Sequence, residues 1–191
     1  MLRMLSIFIL RMAGWTIDKN LPSQKKYVLV GAPHTSNWDL PFGLLYMAAQ
    51  GLRFQWIGKH TIFRGPAGAI LKSIGGIPVD RRVRSGVISQ MGKRFDAHEN
   101  MILLITPEGT RSRTSYWRTG FYYIALQAKV PITLGYLDYK EKKMGIGCSF
   151  FPSGDIEKDI EIVRAFYRSK TGRHPERQGE IKVRAKEYGK S

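Results

Sequence analysis

The chain has 191 residues, 43% of them hydrophobic and 24% charged. That is enough for one domain with its own core, and too apolar for wholesale disorder. A net charge of +16 and a pI of about 10.1 call for an anionic partner: nucleic acid, anionic lipid or an acidic carrier protein. The single cysteine, Cys148, excludes an internal disulfide and a four-cysteine zinc site, and nothing demands an oxidising compartment.

The first predicted element is an amphipathic helix within residues 1–16. It places Leu2, Leu5, Ile9 and Met12 on one side and Arg3 and Arg11 on the other. That pattern fits a helix lying in a membrane interface, with Trp15 near the headgroups; a helix packed on the domain is the alternative. The apolar run 4–10 is short, Arg11 follows it, and no small-residue cleavage site appears, so it does not read as a signal peptide. A spanning helix needs roughly 20 apolar residues. The longest charge-free stretch, residues 40–52, has 13 and contains Pro41.

Strands are expected at 27–32, 54–58, 76–80, 101–106, 132–139 and 144–151, where β-branched and aromatic residues concentrate. Helices are expected between them at 38–50, 66–73, 84–98, 117–128 and 156–167. Alternation of this kind predicts a single α/β domain with a mostly parallel sheet covered by helices. The run 101–106, Met-Ile-Leu-Leu-Ile-Thr, lacks polar alternation, as a strand covered on both faces should. Residues 169–191 carry seven Lys/Arg and three Glu with little apolar periodicity, and read as a basic, weakly ordered tail. The expected organisation is therefore an interfacial helix at 1–16, a domain at 17–168 and the tail.

Three stretches carry candidate chemistry. Pro33-His34-Thr35-Ser36-Asn37-Trp38-Asp39 lies between a strand and a helix, where ligand sites gather in α/β sheets. Ser36 and Asp39 match a capping box, which leaves His34 in the loop with Asp39 in reach of its ring. A carboxylate on one ring nitrogen fixes the tautomer and leaves the other as an acceptor, which a general base on a hydroxyl needs. A capped helix beside an ordinary histidine would show the same five-residue spacing. Thr106-Pro107-Glu108-Gly109-Thr110-Arg111-Ser112-Arg113 follows another strand and offers arginine forks suited to phosphate. Glu108 there would bind a hydroxyl or orient an arginine; an ordinary charged turn is the alternative. Gly75-Gly76-Ile77-Pro78-Val79-Asp80-Arg81-Arg82 adds Arg81 as a second fork. It lies within a stretch, 59–94, holding eight Lys/Arg and the acid Asp80, which also reads as a solvated basic face.

Other patterns fail. Gly58-Lys59 lacks P-loop spacing, the four histidines lack the zinc-hydrolase spacing, and no nucleophile elbow occurs. Cys148 falls in an apolar strand and reads as a buried, inert thiol.

Taken together and in order, these segments resemble the lysophospholipid acyltransferase family, typified by 1-acylglycerol-3-phosphate acyltransferases. The H-x-x-x-x-D motif is matched by His34 and Asp39, the G-x-I-x-x-D-R-like segment by residues 75–81, and the P-E-G-T-R-S motif by residues 107–112. A V-P-I strand entry is matched by Val130, Pro131 and Ile132, and Thr106 stands where the family has phenylalanine. The resemblance implies an O-acyltransferase with no bound cofactor or metal. It would move a fatty acyl group from acyl-CoA or acyl carrier protein to the hydroxyl of a lysophospholipid, 1-acylglycerol-3-phosphate giving phosphatidic acid. It further implies His34 and Asp39 as the catalytic pair, and Arg81, Glu108, Gly109, Thr110 and Arg111 as the substrate-binding residues. A peripheral protein on the cytoplasmic face of a membrane rich in anionic lipid is the expected setting. Another lysolipid or aminolipid acceptor is the nearest alternative. A basic nucleic-acid-binding module is the alternative from a different class, although no nucleic-acid motif appears.

Overall fold

The structure, a computed structural model, describes residues 1–79 and 84–184. Helix α1 (Leu2–Met12) leads to a two-residue strand β1 (Thr16–Ile17) and then to β2 (Lys26–Gly31), α2 (Asp39–Gln50) and β3 (Gln55–Lys59). A short 3-10 turn, His60–Phe63, precedes α3 (Gly65–Ser73), β4 (Gly76–Val79), α4 (Arg84–Ala97) and β5 (Met101–Ile105). The chain continues through α5 (Gly120–Ala128), β6 (Ile132–Asp138), β7 (Lys143–Phe150) and α6 (Ile156–Tyr167) to a final 3-10 turn, Pro175–Arg177. The seven strands lie in the order β1-β7-β6-β2-β5-β3-β4. All neighbouring pairs are parallel except β6 and β7. The expected α/β domain with a mostly parallel, helix-covered sheet is thus what the chain forms.

The central strands sort their side chains between two cores, because successive residues of a strand point to opposite faces. Val28 and Val30 of β2, with Met101, Leu103 and Ile105 of β5, pack beneath α4, α5 and α6. Tyr27 and Leu29, with Ile102 and Leu104, pack beneath α1 and α2. Covering on both faces explains the uninterrupted apolar run of β5. Helix ends follow local chemistry. Asp155 caps α6 by accepting from the backbone N–H groups of Glu157 and Lys158. Gly51 ends α2 at φ +71°, a left-handed conformation that glycine adopts at little cost.

Three local readings change. Helix α5 begins at Gly120, not at residue 117, because Trp117 is buried in the core and its N–H donates to the Lys182 carbonyl. Cys148 lies in β7 as expected, but it is exposed, toward the end of the strand whose buried residues are Met144–Ile146. The segment 169–184, expected as the start of a weakly ordered tail, is docked on the domain. The N–H of Tyr139 donates to the Thr171 carbonyl, His174 N–H donates to Thr35 Oγ1, and Arg164 donates to the Ile181 carbonyl. Ile181 and Val183 pack against the larger core. Charge dominates the composition of this stretch, and two apolar residues with a few backbone bonds suffice to fix it.

Helix α1 packs on α2 and also presents apolar surface outward. Ser6 and Leu10 are buried, and Arg3 donates to the Ala49 carbonyl at 3.0 Å. Leu2, Met4, Leu5, Phe8, Ile9 and Met12 are exposed on the remaining circumference. No helix among the described residues is long and apolar enough to cross a membrane.

Candidate active site

Strand β2 delivers its chain to the loop holding His34 through a cis peptide between Ala32 and Pro33. His34 Nδ1 lies 3.0 Å from Asp39 Oδ2. The same oxygen accepts the backbone N–H groups of Thr35 and Ser36, each at 3.0 Å. The other oxygen, Oδ1, accepts the hydroxyl of Tyr139 at 2.8 Å. With this carboxylate serving as acceptor to four donors, the hydrogen shared with the imidazole belongs to Nδ1. That leaves the Nε2 lone pair free, the tautomer a general base requires.

The expected capping box forms only in half. Asp39 reaches back to the N–H of Ser36, but Ser36 Oγ accepts from Trp38 N–H at 3.2 Å, so α2 starts at Asp39. The result suits the site: the loop 33–38 stays non-helical, and the first acid of the helix is free to hold the ring.

Glu108 is placed differently from expectation. It is buried, and Oε1 accepts the backbone N–H of His34 at 2.7 Å. Among the described residues no arginine pairs with it. Burial pushes its carboxyl up to about 7; the bond from His34 N–H and the nearby imidazole pull the other way without offsetting it. Glu108 therefore ties the strand-end loop after β5 to the loop after β2. Gly109, at φ +67°, turns the chain beyond it, and a Cβ there would stand 2.6 Å from Arg118 Nε.

Gly109, Thr110 and Arg111 line a cavity of about 490 Å³ that also contains His34 and Asp39. From this mouth the cavity runs along the α2 face of the sheet, between Leu29, Met47, Phe54 and Leu104. Gly31, Gly43, Gly58 and Gly135 lie on its wall; a Cβ on Gly43 would meet nothing within 4 Å, whereas at the other three it would press on Leu104, Phe63 and Leu29. Arg81, expected beside Arg111, lies outside the described residues, as do Asp80 and Arg82.

Sequence reasoning missed two supports. Tyr139, one residue beyond β6, holds Asp39 from the side opposite the imidazole. Burial, and then its bond to the Asp39 carboxylate, push the Tyr139 hydroxyl well above its usual range, so it stays a donor. The predicted strand ran through residue 139 and so placed a hydroxyl at the strand end, but nothing in the pattern assigned it a partner. The second support is the segment 171–174. His174 N–H binds Thr35, Gly172 packs against Thr35 with no room for a side chain, and the Arg173 guanidinium lies 5.4 Å from the Trp38 ring centre.

The family model described as Acyltransferase matches residues 15–133. The 1-acyl-sn-glycerol-3-phosphate acyltransferase beta of Homo sapiens is 36% identical over 109 residues, which are 53% of this chain and 38% of that protein. The chain thus spans well under two thirds of that relative's length. The crystal structure of the 1-acyl-sn-glycerophosphate (LPA) acyltransferase PlsC from Thermotoga maritima superposes with a TM-score of 0.53 at 12% identity. That match covers 90% of this chain and 80% of the other, and likens the two folds.

Proposed function

The chain belongs to the acyltransferase family, and from that premise we propose that it esterifies the free hydroxyl of a lysophospholipid with a fatty acyl group. The donor is a thioester of coenzyme A or of acyl carrier protein. The acceptor is 1-acylglycerol-3-phosphate and the product phosphatidic acid, the chemistry in the name of the human relative. The observation that carries this reading is a tautomer-fixed histidine at the mouth of an apolar cavity, with an arginine on the same rim.

In this scheme His34 Nε2 takes the proton of the acceptor hydroxyl, while Asp39 holds the ring and stabilises the imidazolium. The acceptor oxygen attacks the thioester carbonyl. Collapse of the tetrahedral intermediate expels the thiolate, and the imidazolium returns the proton to sulfur. No covalent acyl-enzyme is needed. Arg111, with Arg81 as the expected second fork, takes the phosphate of the acceptor. Glu108 acts through the His34 backbone, and Gly109 and Thr110 shape the rim. The apolar cavity accommodates the chain being transferred.

The acceptor and the product are bilayer lipids, so the enzyme must work at a membrane surface. The exposed apolar side of α1 supports this, as do the many basic residues, each adding roughly 1 kcal/mol near an anionic leaflet. The test is an assay of purified protein with a panel of lysolipids and both donor types, read by lipid mass spectrometry. A diacyl product from 1-acylglycerol-3-phosphate is expected; no product from any lysolipid would overturn the reading.

A further inference from the structure

A second cavity, of about 480 Å³, lies across the sheet from the first. Leu104 of β5 lines the cavity that holds His34, and its neighbour Ile105 lines the other. Val87 and Ile88 of α4 and Ile124 of α5 form the second cavity's apolar walls. Arg118 and Arg184 also line it. Arg118 lies against Gly109, and Arg184 lies 4.2 Å from the Tyr116 ring centre. Among the described residues neither arginine has a carboxylate in ion-pair reach. Two guanidinium groups with no acidic partner among the described residues, beside an apolar hollow, suit an anion that carries an apolar body.

The two cavities meet. Both are lined by Ile57, Thr106 and Gly109, so they border each other around the end of β5. Arg111 belongs to one and Arg118 to the other, with Gly109 between them. An anionic head near Gly109 has an arginine in the lining of each cavity and an apolar hollow on each face of the sheet.

We infer that the second cavity holds the aliphatic tail of a single-chain anionic amphiphile, and that Arg118, on the Gly109 side of that cavity, joins Arg111 in binding its head group. Resting on the function proposed above, that tail is the one the acceptor already carries, and the His34 cavity takes the chain being added. The sheet then keeps the two chains apart until the ester bond forms at its edge.

The test has a binding arm and a turnover arm. In the first, dodecyl phosphate is titrated calorimetrically into the full chain. A binding event is expected that Val87→Trp, filling the second cavity, and Arg118→Gln, on the exposed rim, each weaken tenfold or more. Gly43→Leu, filling the first cavity, leaves that event in place. Binding indifferent to both Val87→Trp and Arg118→Gln would overturn the site; the exposed Arg118 keeps the test alive if the tryptophan variant misfolds.

In the second arm, acceptors of increasing chain length are compared. Each methylene buried is worth about fourfold in affinity, so the acceptor KM of the parent falls with length until the cavity is full. Val87→Trp abolishes that dependence and leaves the donor's chain-length dependence intact. If the binding arm succeeds while the acceptor dependence survives Val87→Trp, the site takes a separate amphiphile, and its assignment to the acceptor is overturned. If dodecyl phosphate binds as expected but no acyl transfer occurs with any acceptor, the proposed reaction fails and the site stands.

Discussion

The hydroxyl of Tyr139 and the imidazole of His34 bind opposite oxygens of one carboxylate, at 2.8 Å and 3.0 Å from Asp39. Asp39 is fixed from both sides, so the ring it holds is fixed as well. Tyr139 is therefore a positioning residue for the proposed base. Tyr139→Phe keeps the ring packing against Trp15 and Phe42 and removes one donor. The expected result is about a tenfold fall in kcat with KM little changed and the fold kept, the melting temperature dropping by several degrees because a bond to a charged group contributes roughly 1.5–3 kcal/mol to stability. His34→Ala, which removes the base itself, lowers kcat by about 10²–10⁴. Steady-state kinetics with circular dichroism separates the two. Loss of fold in Tyr139→Phe, or an unchanged kcat, would contradict the positioning role.

Glu108 makes stability depend on pH in an unusual direction. Its carboxyl sits at about 7 in the folded chain, against an ordinary value of 4.5. The folded state thus binds a proton more tightly than the unfolded one. This contribution is fully present below about pH 4.5 and is lost as pH rises through 7, amounting to at most about 3 kcal/mol. Glu108→Gln keeps an oxygen to accept the His34 N–H and removes the titration. Thermal melts between pH 5 and 8 should show the parent losing stability relative to this variant as pH rises. Parallel curves would refute the assignment.

What the sequence made legible was local. His34 and Asp39 lie five residues apart on a strand–loop–helix unit, so their meeting followed from spacing once the strand and helix were recognised. The apolar run 101–106 gave away a strand buried on both faces. Tyr139 lies 100 residues from Asp39, and His174 lies 139 from Thr35. No periodicity links such pairs; only the sheet order, with β6 beside β2, brings them together. The place of Glu108 was hidden for a different reason. A glutamate among arginines in sequence suggests ion pairs, yet the chain turns it inward to a backbone donor. Strand β1, two residues long, was too short to leave a pattern.

Arg111 lies on the rim of the His34 cavity and is exposed, so its removal should not disturb the fold. Its guanidinium is suited to the phosphate of the proposed acceptor. Arg111→Ala should raise the acceptor KM about 10–100-fold for a phosphate-bearing lysolipid, with kcat less affected. The donor KM should stay within a factor of about two. An unchanged acceptor KM would remove Arg111 from phosphate binding.

Helix α1 cannot be tested by deletion, because Leu10 is buried in the core beneath α1 and α2, and Arg3 binds the end of α2. Point charges on its outer side are the cleaner probe. Leu5 and Phe8 are 53% and 61% exposed, so Leu5→Glu with Phe8→Glu leaves the core untouched. Each residue buried in a bilayer interface contributes about 1.5–3 kcal/mol. The double variant should therefore partition at least about a hundredfold less onto vesicles containing anionic lipid, with its melting temperature preserved. Activity on lysolipid presented in vesicles should fall with it, while activity on a short-chain, water-soluble acceptor should not. If vesicle flotation were unaffected, the basic surface and not α1 would carry the attachment, and binding would then disappear at high salt.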